Sequence, residues 1–212
     1  EKAVINSIKS FNKFSKNKIN PYLLDVIGEW KNNSRIPSNL NIKIIDLLKF
    51  KLIKYLPRFG FLKSRFSYIL VFFFSVFKLH RFLKNEKPDY LIVHLMTFIP
   101  LSLLLFFRYD TKFILRISGY PKLHLIRAFF WKIIGKKLFL VTTPTKLTGI
   151  FLKESKIFDS NKIKYLPDPI LDINEIENKK IINNTIEKEI SSRNTLLSIG
   201  RLTKQKNFKF LI

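Results

Sequence analysis

Tyr90-Leu91-Ile92-Val93-His94-Leu95, a helical stretch from Pro100 to about Phe107, and Lys112-Phe113-Ile114-Leu115-Arg116-Ile117 together decide the fold. YLIVHL and KFILRI are short apolar runs without polar alternation. Lys87-Pro88-Asp89 precedes the first and Ser118-Gly119-Tyr120-Pro121 comes after the second, so both read as buried strands closed by turns. Leu91 to Phe107 is the longest apolar stretch, but His94 and Pro100 interrupt it, and a membrane span needs about 20 continuous residues. Strand, helix, strand is therefore the reading.

The alternation continues outward. Leu123 to Ile134 reads as a helix and Leu138 to Val141 as a strand. Thr143 then suits an N-cap, with Pro144 at the first helical position. Lys162 to Leu166 is a last short strand before Pro167-Asp168-Pro169. Upstream, Ala3, Val4, Ile8, Phe11 and Phe14 recur at helical spacing over residues 1–15. Pro21 to Gly28 and Ile42 to Leu47 are strand candidates, joined by a loop over 32–41. Strands of this kind, alternating with helices, predict an α/β fold: a Rossmann-like parallel sheet with helices on both faces. Ligands of such sheets bind at the carboxyl ends of the strands. The loops after Leu95, Ile117, Val141, Leu166 and Ile199 are thus the candidate ligand loops.

Leu62 to Leu83 interleaves Phe66, Ile69, Leu70, Phe73, Phe77 and Phe82 with Lys63, Arg65, Lys78 and Arg81, and Lys84 comes next. Packing of these residues on the sheet is the preferred expectation. The rival is an interfacial helix, with cations at anionic headgroups and Phe at the acyl boundary. The chain has 39 Lys+Arg against 15 Asp+Glu, a net charge of +24, which calls for a polyanionic neighbour or a charged surface. Abundant Ile, Lys, Asn and Phe are also the mark of an A/T-rich genome. No Cys is present, which excludes disulfides and thiolate metal sites. No Asp-x-Asp cluster occurs, so no metal is expected. The cations are spread out, and no helix-turn-helix, zinc or RNP-type motif occurs, so nucleic acid is not the expected partner.

At the far end, Leu196 to Ile199 reads as a strand, Gly200 ends it, and Phe208 to Ile212 resumes an apolar pattern. A strand, a glycine turn and a helix start make a natural anion site, with Arg201 and Lys206 placed to pair with phosphates from two sides. An ordinary βα turn with solvated cations is the plain alternative.

Ser198-Ile199-Gly200-Arg201-Leu202-Thr203-Lys204-Gln205-Lys206 resembles the "GRL…K" loop of the large family-four retaining glycosyltransferases of the GT-B fold. Lys87 to His94 resembles that family's "kPDiih" strand, and Lys162 to Ile170 its "ki.vipNpv" run, with Asp168 where Asn is usual. Glu1-Lys2-Ala3-Val4 resembles the segment just after its glycine-rich first loop. The resemblance implies an N-terminal acceptor-side domain over 1–170, an interdomain segment over 171–193, and the first strand-turn of a second Rossmann-like domain over 194–212. It implies that Gly200, Arg201 and Lys206 hold the diphosphate of a UDP- or GDP-linked sugar, which is a co-substrate; no cofactor is expected. Arg116-Ile117-Ser118-Gly119-Tyr120-Pro121 resembles the "RisG.pk" variant of surface-polysaccharide transferases, where other members carry a His-Gly pair. Arg116 and Ser118 are the catalytic candidates on that basis, with His94, Gly119 and Asp168 as further pocket residues. A plain strand-end turn accounts for Ser118-Gly119 as well. The implied reaction is hexosyl transfer with retention to a lipopolysaccharide, surface polysaccharide or lipid-linked acceptor. The implied location is cytoplasmic and peripheral on the inner face of an anionic membrane. The family's glycine-rich loop and paired glutamates fall outside residues 1–212, so these residues alone are expected to be inactive. A non-catalytic relative, or a basic nucleic-acid- or membrane-binding α/β protein, is the alternative.

Overall fold

The structure, a computed structural model, describes residues 2–15, 18–30, 42–54, 63–94, 96–169 and 177. The chain divides into two compact units, Glu1–Pro169 and Ile170–Ile212. Of the second, only Glu177 is among the described residues. In the first, the order is α1 (Lys2–Phe14), β1 (Tyr22–Asp25), β2 (Lys43–Asp46), α2 (Lys63–Glu86), β3 (Tyr90–His94), α3 (Phe98–Phe106), β4 (Lys112–Arg116), α4 (Leu125–Gly135), β5 (Leu140–Thr143), α5 (Lys146–Glu154) and β6 (Ile163–Tyr165).

The expected α/β character is present, with every described strand pair parallel. The strands form a two-stranded sheet, β1-β2, and a four-stranded sheet in the order β3-β4-β5-β6. Parallel strands flanked by helices are compatible with a Rossmann-like fold. In the larger sheet each strand pairs with its neighbour in sequence, and since such parallel crossovers are right-handed as a rule, α3, α4 and α5 belong on one face. Phe113, Leu115, Val141 and Ile163 are buried. The intervening residues are less covered: Ile92 is exposed, and Ile114 and Leu140 are intermediate. The two faces are therefore not equally sealed.

Three local readings shift. Strand β5 runs two residues later than expected, because Leu138 closes the turn after α4, where its N–H donates to the Ile134 carbonyl at 3.1 Å. Thr143 is then the last residue of the strand, paired with Tyr165, and Thr145 caps α5 by accepting from the Thr148 N–H. Gly149 in the middle of α5 allows a close approach, since a Cβ there would lie 3.2 Å from the Thr143 hydroxyl. The third shift concerns α2. Its buried stripe is Val71, Ser75, Leu79 and Leu83, spaced by four, whereas Phe66, Phe73 and Phe77 are exposed. Of the phenylalanines expected to pack, Phe66, Phe73 and Phe77 point outward while Phe82 packs against the core, and smaller side chains hold the most buried positions.

Lysines finish two of the helices. Lys137 Nζ donates to the carbonyls of Leu104 and Leu105 at the end of α3, at 2.6 and 2.9 Å. Lys162 Nζ donates to the carbonyls of Gly135 and Lys136 at the end of α4, at 3.2 and 3.0 Å. Both place a cation where helix carbonyls lack partners. Asn6 of α1 donates to the Pro169 carbonyl at 2.7 Å, tying the start of this unit to its end.

After β1 the chain turns around Asp25, which is buried. Its Oδ1 accepts from the N–H groups of Ile27, Gly28 and Glu29 at 3.2, 2.8 and 3.1 Å, and its Oδ2 from Trp30 at 2.8 Å. Gly28 has φ of 79°, and a Cβ there would lie 2.9 Å from the Lys51 Cα, so only glycine fits. Asp25→Ala orphans all four donors. It should lower stability by about 3 kcal/mol in urea unfolding, because each buried unpaired group costs about 1–3 kcal/mol before relaxation. Asp25→Asn retains the Oδ1 acceptor and should lose markedly less; equal losses would show that the carboxylate does not organise this turn.

Candidate functional site

Parallel register assembles the site. His94 ends β3 and pairs with Arg116, which ends β4, and Arg116 pairs with Thr142 of β5, itself paired with Lys164 of β6. Because strand side chains alternate between faces, residues directly opposite one another share a face. His94, Arg116, Thr142 and Lys164 thus form a row across the sheet near its carboxyl edge. Ser118 and Gly119 lie in the loop after β4, and Asp168 lies just after β6.

Two polar links bind the row to these loops. Arg116 Nε donates to Asp168 Oδ1 at 3.0 Å, and its Nη2 contacts the same oxygen in a direct ion pair. Nη2 also donates to the Leu166 carbonyl at 3.0 Å, and Nη1 reaches the Thr142 hydroxyl at 3.4 Å. The side chains of Arg116 and Asp168 are only 10% and 18% exposed. At that burial the guanidinium needs its counter-charge, and its N–H groups are taken up by the segment that leaves β6 and by Thr142 of β5. Arg116 therefore fastens the Leu166–Asp168 segment to β4.

The second link is at the rim. His94 Nε2 lies 2.5 Å from the Ser118 hydroxyl, and Ser118 is exposed. Burial holds the His94 pKa below its ordinary 6.5, and the positive charge of Arg116 pushes it the same way, while Asp168 opposes them. The imidazole is therefore neutral at pH 7. Two arrangements are open to the pair: the Ser118 O–H donates to Nε2, or Nε2–H donates to the Ser118 oxygen and leaves Nδ1 as a bare base. Nδ1 has no hydrogen-bond partner among the described residues. Either arrangement accepts one proton from a bound hydroxyl, which is the chemistry of a general base.

Of the residues singled out from sequence, His94, Arg116, Ser118 and Asp168 come together here. Gly119 stands in the same loop, but a Cβ there would meet nothing within 4 Å, so no close approach demands a glycine. Gly200, Arg201 and Lys206 lie outside the described residues. Thr142 and the Leu166 carbonyl were not expected. A threonine at the end of an apolar run offers a faint signal for Thr142, and a carbonyl offers none. Among the described residues no group of three or more His, Cys, Asp or Glu could hold a metal ion. Comparisons with protein-family models, with curated proteins and with solved structures find no match to the chain.

The unfolded chain binds a proton at His94 more readily than the folded one. The neutral imidazole's share of stability is thus complete above pH 6.5 and is lost as pH falls below it. In an NMR titration the His94 midpoint should lie below 6.5. Arg116→Gln should raise the midpoint by removing a like charge, and Asp168→Asn should lower it further. Shifts in the opposite directions would show that the neighbouring charges do not set the protonation state of this residue.

Proposed function

We propose that residues 1–212 are part of an enzyme that transfers a hexosyl group from a nucleotide sugar, with retention, to a glycan or lipid-linked acceptor, in the manner of GT-B transferases. One observation carries this reading: His94, Arg116, Ser118 and Asp168, spread over 75 positions of sequence, converge on the carboxyl edge of a parallel sheet, where such sheets bind ligands.

In this reading the bond from the anomeric carbon to the diphosphate breaks, and the bond to the acceptor oxygen forms on the same face of the sugar. The electron pair leaves with the diphosphate. Arg201 and Lys206 hold that diphosphate, so their charges act most strongly as negative charge gathers on it. The neutral His94–Ser118 pair holds the acceptor hydroxyl and takes its proton. Arg116 is a positioning residue: its guanidinium is committed to Asp168, Thr142 and Leu166, and through them it fixes the loop beside the reacting sugar.

Titration with UDP and with GDP tests the reading. One of them should bind, and Arg201→Ala or Lys206→Ala should each weaken it about tenfold or more, the loss of a charge-assisted contact of about 1.5–3 kcal/mol. Ser118→Ala should leave nucleotide affinity unchanged. A chain that binds neither nucleotide, or binds one equally well in all three variants, does not work this way.

A further inference from the structure

Many of the exposed apolar side chains of the first unit lie on α2, α3 and α4. On α2 the exposed Phe66, Ile69, Phe73 and Phe77 are spaced by three, four and four, which makes one face of a helix. Phe77 is 76% exposed. Arg81 and Lys84 continue that face, so it runs from aromatic at its start to basic at its end. On α4, Leu125, Ile126 and Phe129 are 90%, 86% and 69% exposed, with Arg127, Lys132 and Lys136 exposed beside them. Helix α3 lies between the two. Phe98 of α3 contacts Phe72 of α2 and Phe130 of α4, with ring centroids 5.5 and 6.0 Å apart, so the three helices present one continuous surface.

We infer that this α2–α3–α4 surface docks on an anionic lipid bilayer, with the phenylalanines, Leu125 and Ile126 at the acyl boundary and the lysines and arginines among the headgroups. Charge selects the occupant. Lys78, Arg81 and Lys84 of α2 and Arg127 and Lys132 of α4 are exposed, and the one acid in either helix is Glu86, the last residue of α2. A two-fold pairing of this face with a second copy would set one cationic surface against another. Phosphate headgroups oppose it with the right sign, and the phenylalanines then leave water as well. Helix α2 is long and apolar enough to cross a membrane by length and composition. Its Val71, Ser75, Leu79 and Leu83 stripe is buried in the protein, however, so it lies against the bilayer rather than through it.

The surface also has a direction. Helices that cross over between parallel strands begin at the carboxyl edge of the sheet, and α4 begins seven residues after Ser118. Leu125 and Ile126 therefore stand on the same edge as the His94–Ser118 pair, and a bilayer reached by them lies beside the site. Delivery of a lipid-borne acceptor along that edge rests on the transferase reading; the docking itself does not.

The test is co-sedimentation with vesicles of phosphatidylcholine alone and of phosphatidylcholine and phosphatidylglycerol in equal parts. The protein should bind the anionic vesicles at least tenfold more tightly, an advantage of the order expected from about two cations at roughly fivefold each. Leu125→Ser/Ile126→Ser/Phe129→Ser, at exposed positions, should weaken that binding about tenfold or more. Lys78→Gln/Arg81→Gln/Lys84→Gln should reduce it and flatten its salt dependence. Leu147→Ser/Ile150→Ser, also exposed and on α5, is the control and should bind as the parent does. Equal binding to both vesicles, or no loss in the α4 variant, overturns the proposal. So does a dimer in size-exclusion chromatography that the α4 variant abolishes, since the face would then belong to a second copy. These vesicles contain no acceptor or nucleotide, so failure here leaves nucleotide binding untouched, and failure there leaves docking untouched.

Discussion

Parallel pairing is the constraint on which the site depends. Strands that run the same way finish at the same edge, and a βαβ connection returns every new strand to the opposite edge before it starts. The last residues of β3 to β6 have no choice but to meet. Register then decides which side chains share a face: His94 stands opposite Arg116, and Arg116 opposite Thr142. A slip of one residue in any pair would turn its partner to the other face and dissolve the row.

Within that row one cation sets the terms for its neighbours. Arg116 is too buried to be left to water, and Asp168 answers it. This gives a physical reason for a carboxylate at position 168. An Asn at 168 would accept from the guanidinium but would not neutralise it, so an arginine at 116 favours a carboxylate at 168. Burial does most to keep His94 uncharged, and the same guanidinium that anchors the loop after β6 adds to it.

Much of this is legible in the residues. The apolar runs at 90–95 and 112–117 match β3 and β4 almost to the residue, because continuous apolar strands with turn signals on both sides leave few alternatives. The site residues are legible as a set but not as partners: Arg116 and Asp168 are 52 positions apart, and only the register joins them. The cap of α5 lies two residues beyond its expected place. Thr143 and Thr145 carry the same local preference, and the choice between them is made by the ladder that β5 shares with β6. The inward face of α2 is hidden for a related reason. Composition says that phenylalanine is apolar, but not that a serine and three aliphatic residues would take the buried stripe.

Formal charge treats all lysines alike, and Lys137 and Lys162 show why that misleads. Each ammonium is spent on two backbone carbonyls at the end of a helix, and so forms part of that helix's termination rather than of the outward field. Lys78 and Lys84, by contrast, are exposed on α2. Acetylation would therefore act in two ways on one molecule. At α2 it would lower surface charge and leave the fold intact, whereas at Lys137 or Lys162 the same acyl group would unfasten a helix end.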